Sequence, residues 1–564
     1  MSTPRILVVG GSAAGPKAAA RAKRLNQDAQ VTLIQKAPEL SMASCGYPYY
    51  VSGHFDNRNA LLCTPTGVVR NPAFFAGAKG VEAVVETEVT AIDRAAKTVW
   101  CKHLPSGETS VRPYDKLILC TGASPRVPPI PGRELRGVTT LHAMRDADYL
   151  RTVRDEGKAK RAVIVGGGLI GVEACEALRE AGLDVTVVEL LPQVLMFLDW
   201  EMARHVENHM RAKGAAVMLN NGVAEFLGQD GALTGVRLND GTHLPCDVAV
   251  VAIGVAPNVA LARDAGLEIG VTGGIAVSEH MQTSDPDIYA AGDCVEVLQR
   301  ITGKKTLAPY GDLANLEGRV AGENCVLGNV ARFPGTIHSG ICKAFDFTAG
   351  SVGLSERRAK EEGFSVVTAI NASPDKPGFM GAKLLISKMV ADAATGRILG
   401  FQCLGPGDAS RQLAAMSMAV SHGATVADVC MADMPYAPPF SLAIDHFIAT
   451  AHILENKMRG LLDGLSSVEV QAMLNNGSRP FLLDARSPEE FEEMRLGQGE
   501  TLIPLGQLRK RLDDLPQDKA APIVAYCKIS MRGYEAQRVL NHLGWTNVKV
   551  MEGGLMAWPF AREK

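Results

Sequence analysis

The chain of 564 residues carries 57 glycines, 5% aromatic residues and a formal net charge of -3. It is too long for one core, and at ~150 residues per domain it predicts three or four units rich in tight turns. The charge excludes nucleic acid as the main partner, which needs a basic surplus, and the 12 cysteines lack framework spacing, which points to a reducing cytoplasm.

Met1 to Val9 runs straight into a strand. It lacks the basic, apolar and cleavage regions of a signal peptide, and no apolar run is long enough to span a bilayer, so a soluble intracellular protein is expected. Arg5-Ile-Leu-Val-Val-Gly10-Gly-Ser12-Ala-Ala-Gly15 is an apolar strand entering a glycine turn, followed by an alanine-rich helix from Lys17 to Leu25. In that context Gly10 makes the turn, Gly15 lets helix and strand close, and the helix N-terminus receives a pyrophosphate. Ser12 replaces the middle glycine. The position that would hold a ribose is Gln35, followed by Lys36, and Gln can hydrogen-bond a hydroxyl without charge assistance. Lys17, Arg21 and Arg24 share a helix face. Such a face is commonly just solvated; the sharper reading is a site for the phosphates of a nucleotide-bearing thiol.

Ser41-Met-Ala-Ser44-Cys45-Gly46-Tyr-Pro48-Tyr-Tyr50 follows about ten residues beyond the second strand. Position 50 is Tyr and no C-x-x-C occurs, so Cys45 has no partner thiol nearby. A lone redox cysteine cycles through a mixed disulfide, a persulfide or a sulfenic acid. Gly46 and Pro48 read as the opening of a helix whose N-terminus favours the thiolate. The plainer alternative is a buried structural cysteine.

Tyr114-Asp-Lys-Leu-Ile-Leu-Cys-Thr121-Gly122 is a strand stopping at a turn, and the proline-rich Val127 to Gly132 marks a domain boundary. Gly166-Gly-Gly168-Leu-Ile-Gly171 then completes a second fingerprint, with Glu189 as its acid. Glu189 accepts from both ribose hydroxyls and repels a 2′-phosphate, which favours NADH over NADPH. A further strand ends at Gly254-Val-Ala-Pro257-Asn258, and Ala-Gly292-Asp293 places an acceptor for a flavin ribityl chain.

Together these features resemble the FAD-dependent pyridine nucleotide–disulfide oxidoreductases over Met1 to about Gly460. The surroundings of Cys45, with Ser41, Pro48 and Tyr50, are most similar to the coenzyme A disulfide and persulfide reductases of that group, which use one active cysteine; here Ser44 stands where Asn usually precedes it. The resemblance implies FAD held by Gly10, Ser12, Gly15, Gln35, Lys36, Thr121, Gly122 and Asp293. It implies NADH held by Gly166, Gly168, Gly171, Glu189 and Gly254. Lys17, Arg21, Arg24, Ser41 and Ser44 are the candidate substrate contacts, with coenzyme A as one candidate ligand. Met434-Pro-Tyr436-Ala-Pro-Pro-Phe440 matches the family's interface motif, which makes Tyr436 of a partner subunit a candidate proton donor in a homodimer, or else a packing residue. The Tyr-Pro-Gly signature of that domain is absent, and Asn371 to Gly378 stands there.

Beyond a short polar linker, Phe481-Leu-Leu-Asp484-Ala-Arg486, Cys527-Lys-Ile-Ser-Met-Arg532 and Glu552-Gly-Gly-Leu-Met-Ala-Trp558 resemble the rhodanese sulfurtransferases. Cys527 ends a buried strand, and the amides after it can cup a persulfide while Arg532 steadies its charge; the plainer alternative is an inactive, scaffold-only rhodanese unit. Ser530 replaces a usual Gly, and Arg495-Leu-Gly-Gln-Gly499 replaces a usual Gly-His run. The expected class is α/β: an FAD-binding domain (1–118 and 257–332), an NAD(P)H-binding domain (119–256), both Rossmann-like, an α+β dimerisation domain (333–455), a linker (456–467) and an α/β rhodanese domain (468–564). No metal is assigned. The expected function is NADH-dependent reduction of persulfide, polysulfide or coenzyme A disulfide. The rivals are an NADH oxidase or peroxidase using a sulfenate, although the His that peroxidases carry in the first glycine turn is absent at Ala13 and Ala14, and a redox-sensing regulator of low turnover.

Overall fold

The apolar run Arg5–Val9 is buried on both faces, which commits it to the middle of a parallel sheet. In the computed structural model, which describes residues 3–477 and 479–563, it lies between Gln30–Ile34 and Lys116–Leu119, with Ile288–Ala290 and Glu82–Val84 outermost. Register sets Val8 opposite both Leu33 and Ile118. This sheet belongs to a first unit, residues 1–190 with 220–336. The same unit holds a second parallel set, in which Asp184–Val188, Arg161–Val165, Val248–Val251 and Val138–Thr139 neighbour one another in that order. The connections between the two sheets run side by side as the antiparallel pair Ala123–Pro125 and Val255–Pro257. Thr121 and Asn258 clasp that crossing: Thr121 Oγ1 donates to the Asn258 carbonyl at 2.6 Å and Asn258 Nδ2 returns a bond to the Thr121 carbonyl at 2.9 Å.

The second unit, residues 191–219 with 337–564, contains two sheets. One is antiparallel, in the order Ser339–Ala344, Phe347–Gly353, Ile398–Gly405, Leu384–Asp392, Val366–Pro374. The other is parallel, in the order Gly464–Leu465, Val548–Met551, Ile523–Tyr526, Phe481–Asp484, Thr501–Leu502, with separate apolar clusters built on Leu483 and Ala525 and on Val524 and Tyr526.

Two details bear on the domain bounds expected from the sequence. Residues 191–219, expected with the NAD(P)H-binding stretch, cluster with the second unit by contact. The stretch 456–467, expected as a linker, is largely ordered: the helix His446–Met458 runs into it, Gly464–Leu465 joins the parallel sheet and Ser466 caps the helix Ser467–Asn475.

Within the second unit, residues 191–219 meet the antiparallel sheet through a buried ion cluster. Lys388, 2% exposed in the strand Leu384–Asp392, places its ammonium against Glu201 at 2.5 Å, Glu356 at 2.6 Å and Asp199 at 3.2 Å. Asp199 also accepts from the backbone N–H groups of Glu356 and Arg357 and from Gln402 Nε2. Burial alone would push the Lys388 ammonium down, but these carboxylates more than offset it and hold it above its ordinary value. Burial likewise works against the Glu356 carboxylate, yet Lys388 and Lys360 hold its pKa at about 2. Glu356 therefore contributes stability that is fully present above an unfolded value near ~4.3 and lost as the pH falls through the folded value.

Lys388→Met leaves the carboxylates buried without their cation and is expected to cost roughly 3–5 kcal/mol in urea unfolding near neutral pH. The gap to wild type should narrow as acidification protonates them. An unchanged unfolding midpoint in the variant would contradict this account.

Candidate active site

The glycine turn after Arg5–Val9 is fixed by close approach. A Cβ at Gly10 would lie 1.9 Å from the Cys120 carbonyl oxygen, and one at Gly15 would lie 1.8 Å from that of Gly10. The turn opens at the N-terminus of the helix Ala14–Leu25, whose unsatisfied N–H groups suit a pyrophosphate. Gln35 does what a ribose-holding side chain must also do locally: its Oε1 accepts from Gly11 N–H at 2.9 Å, and its Nε2 donates to the Glu39 carbonyl. The second fingerprint repeats the arrangement with an acid. Gly171 closes on Gly166, and Glu189 Oε2 accepts from Gly167 N–H at 2.6 Å. Leu190 after Glu189 is largely exposed, so the chain puts an apolar side chain there rather than a cation.

From Gln35 the chain folds back over the first glycine turn. Ser41 N–H donates to the Gly11 carbonyl at 2.7 Å, with Ser41 itself at φ 52°. Ala43 N–H then donates to the Leu61 carbonyl, and a 3-10 turn Ser44–Gly46 runs into the helix Tyr47–Ser52 with Pro48 in its first turn. Tyr47, Tyr50 and Val51 are buried and anchor that helix, while Cys45 stays exposed, so the alternative of a buried structural cysteine is wrong.

The electrostatics do not follow the sequence reading. The thiol of Cys45 is pushed up, first by lost hydration where protein crowds the sulfur, then by the carboxylates of Glu173, Asp293 and Asp312. A helix of 6 residues is too short to outweigh them. The protein groups themselves thus oppose the thiolate that the helix N-terminus was expected to favour.

These carboxylates form a set that sequence reasoning largely missed. Glu173 sits two residues beyond Gly171 in the helix Leu169–Glu180, and burial and the neighbouring Glu176 raise its pKa to about 7. Glu317, in the helix Gly311–Leu327, accepts from Gly292 N–H at 2.7 Å, and burial raises it to about 8. Its signal was the small-residue spacing of Ala314, Gly318 and Gly322, which lets that helix lie against the Ala14–Leu25 helix. Asp293 follows Gly292 and is also raised by burial. Gly122 and Gly254 adopt φ values of 67° and 97° at the crossing.

The proposed substrate face is only partly open. Lys17 and Arg24 are exposed, and Arg21 on the same helix pairs with Glu323 at 2.6 Å. Ser12 is exposed in the turn, and Lys36 pairs with Glu88 at 2.8 Å on the surface. Glycine-lined turns, helix N-termini and a half-buried carboxyl fit FAD in the first fold and a pyridine nucleotide in the second.

In the second unit Tyr436 is 52% exposed in a segment that also exposes Met431, Phe440 and Ile444. Arg411 Nη2 donates to the Pro435 carbonyl and to Asp445, which fixes the flanks of that segment. Cys527 is buried at the end of Ile523–Tyr526, and its loop leads into the helix Met531–His542. Arg532 is held by a bidentate pair with Glu490, at 2.6 and 2.7 Å, and also reaches the Cys527 sulfur; its charge is reinforced and Glu490 is held at about 2. Ser530 sits at φ 90°, a conformation natural to glycine, and its hydroxyl donates to the Met551 carbonyl at 3.2 Å. Arg495, in the run that departs from the usual Gly-His pattern, pairs its backbone with Glu563 and so serves the fold.

In flavin-free protein, alkylation of Cys45 is expected to rise with a midpoint above the ~8.5 of free cysteine. Glu173→Gln should lower it, because removing a negative neighbour favours the thiolate. A midpoint below that of free cysteine would overturn this electrostatic picture.

Comparison with known proteins agrees with the geometry. Residues 4–308 match the pyridine nucleotide-disulphide oxidoreductases, residues 340–447 match the dimerisation domain of that family, and residues 466–560 match the rhodanese-like domain. The chain is similar to the NAD-dependent persulfide reductase from A. fulgidus, with 41% identity, 99% of this chain and 100% of that one covered and a TM-score of 0.93. It is similar to reduced Bacillus anthracis CoADR-RHD at 34% identity, covering 99% and 98%, with a TM-score of 0.91. It is also 33% identical to an NADH oxidase of Methanocaldococcus jannaschii over 78% of this chain and 96% of the relative. Among the described residues no helix is long and apolar enough to cross a membrane. The chain belongs to the pyridine nucleotide-disulphide oxidoreductases, enzymes that use FAD and NAD(P)H, and carries that family's dimerisation domain together with a rhodanese-like domain.

Proposed function

We propose that this protein is a cytoplasmic, homodimeric NADH-dependent reductase of persulfide, polysulfide or coenzyme A disulfide sulfur, with Cys45 as its redox cysteine and Cys527 as a sulfur carrier. The observation that carries the reading is an exposed, unpartnered thiol at the end of a segment folded over the first nucleotide cradle, in a chain that also carries the loop of Cys527 and Arg532. The A. fulgidus and Bacillus anthracis structures, alike over nearly the whole length, support the pairing of these activities.

Gly10, Gly15, Thr121, Gly122 and Asp293, with Ser12, Gln35 and Lys36 at the edge, would hold FAD. Gly166, Gly168, Gly171, Glu189 and Gly254 would hold NADH. Bound together, these cofactors supply the electron pair that cleaves a sulfur–sulfur bond. The chain's own residues do the rest. The Cys45 thiolate attacks the outer sulfur of a persulfide or polysulfide, or one sulfur of a disulfide; a new S–S bond to Cys45 forms as the donor's S–S bond breaks, and the donor thiolate leaves. Lys17, Arg21, Arg24, Ser41 and Ser44 would bind the donor. Tyr436 of a partner subunit would give the leaving thiolate its proton. Cys527 takes sulfane sulfur as a persulfide within its amide loop while Arg532 balances the charge.

Peroxide or oxygen reduction through a Cys45 sulfenate is the second reading, favoured by the exposure of that thiol and the Methanocaldococcus jannaschii likeness. Steady-state assays with coenzyme A persulfide, polysulfide, coenzyme A disulfide and peroxide side by side separate the two. Peroxide as the best substrate would reject the sulfur reading.

Cys45→Ser should still let NADH bleach the flavin but reduce turnover of every sulfur substrate by more than about a thousandfold. Retained turnover would place the chemistry elsewhere. Glu189 predicts a higher kcat/KM with NADH than with NADPH, and Glu189→Gln should narrow that ratio. A wild-type preference for NADPH would refute the role given to Glu189.

A further inference from the structure

We infer that Lys457 and Glu552 are positioning residues for Cys527: through this ion pair the antiparallel sheet of the second unit sets the loop in which the rhodanese cysteine sits. The inference rests on the reading of Cys527 as a sulfur carrier.

The segment from Met551 to Met556 is gripped from two sides. Toward the cysteine it holds the loop by backbone. Leu555 N–H donates to the Cys527 carbonyl at 2.9 Å, Met556 N–H donates to the Lys528 carbonyl at 3.0 Å, and the Met551 carbonyl accepts from Ser530 Oγ at 3.2 Å. The approach at Gly554 is so close that a Cβ there would lie 2.3 Å from the Cys527 carbonyl oxygen. The strap and the cysteine loop are thus held together by three hydrogen bonds and one close backbone approach.

On its other side the same segment is tied to the antiparallel sheet. Glu552, 2% exposed, accepts from Ile370 N–H in the strand Val366–Pro374 at 3.0 Å. Its other oxygen takes the ammonium of Lys457, from the last turn of the helix His446–Met458, at 2.5 Å. Lys457 also donates to the Thr368 carbonyl at 3.0 Å, so one ammonium joins strand, helix and strap. Gly553 lies against Ile370, where a Cβ would be 3.0 Å from its side chain.

Two physical points make this a device for the cysteine rather than incidental packing. Ser530 holds φ 90°, and a non-glycine residue keeps such a conformation only where its surroundings over-determine it. The strap supplies that constraint through Met551 and Gly554. Glu552 is also a buried carboxylate, which without Lys457 would be drawn toward water and would carry the strap with it. The loop amides that must surround a persulfide would then lose their spacing, and misplacement by about an ångström is enough to slow a reaction by orders of magnitude. The rhodanese unit is accordingly docked by a specific ion pair, not swung on a free tether.

The test uses full-length holoenzyme and thiosulfate. Its outer sulfur passes to the Cys527 thiolate as the S–S bond breaks and sulfite leaves, and the persulfide sulfur then passes to cyanide as thiocyanate. Wild type should form the Cys527 persulfide; if it does not, the carrier reading fails and this proposal with it. Lys457→Met should lower kcat for thiocyanate formation about tenfold or more, with NADH reduction of the flavin unchanged. Lys457→Arg, which keeps the charge and the donors, should retain most of the rate. Unchanged transfer in Lys457→Met, failure of the arginine variant to rescue, or a parallel fall in flavin reduction would each overturn the proposal.

Discussion

The backbone of Gly11 is held on both its N–H and its carbonyl, and the path of the chain to Cys45 follows from that. Its N–H is taken by the Gln35 side chain, and its carbonyl accepts from Ser41 N–H six residues later in the chain's return. The segment between these bonds has no freedom to leave the glycine turn, so the 3-10 turn that follows delivers Cys45 beside the cradle. Each bond is modest alone, about 1 kcal/mol net, but the geometry they impose leaves the chain one path. Gln35 therefore serves the fold as well as any ribose. A side chain too short to reach Gly11 would loosen the segment that carries the thiol.

The same local solution occurs twice, with one change. In the second fingerprint the group that takes the N–H after the first glycine is the carboxylate of Glu189. An acid there adds charge to the hydrogen bond. The neutral Gln35 adds none. The two cradles thus differ by one side chain in an otherwise repeated turn.

Much of this was legible in the sequence because it depends on local sterics. Gly10, Gly15, Gly166 and Gly171 stand where the backbone leaves no room for a Cβ, and apolar runs such as Arg5–Val9 announce a buried parallel strand. What could not be read depends on groups distant in sequence. The pKa of Cys45 is raised by Glu173, Asp293 and Asp312, which come to it from three separate elements. The pairing of Arg21 with Glu323 could not be read, because the two lie 302 residues apart in the chain. Lys388 and its carboxylates Asp199, Glu201 and Glu356 could not be paired in the sequence for the same reason. The stretch after Asn456 was expected as a short polar linker, and the pairing of Gly464–Leu465 with the strand Val548–Met551, which joins its end to a sheet, depends on residues distant in sequence.

The most direct test of the account is to follow sulfur on Cys45 itself. Anaerobic protein is mixed with one equivalent of a persulfide donor, quenched with an alkylating agent, and the peptide containing Cys45 is analysed by mass spectrometry before and after NADH is added. The account predicts one extra sulfur atom on Cys45 before NADH and its loss afterwards, with sulfide released. A Cys45 peptide that never gains sulfur, or that keeps it through complete oxidation of the added NADH, would contradict the account.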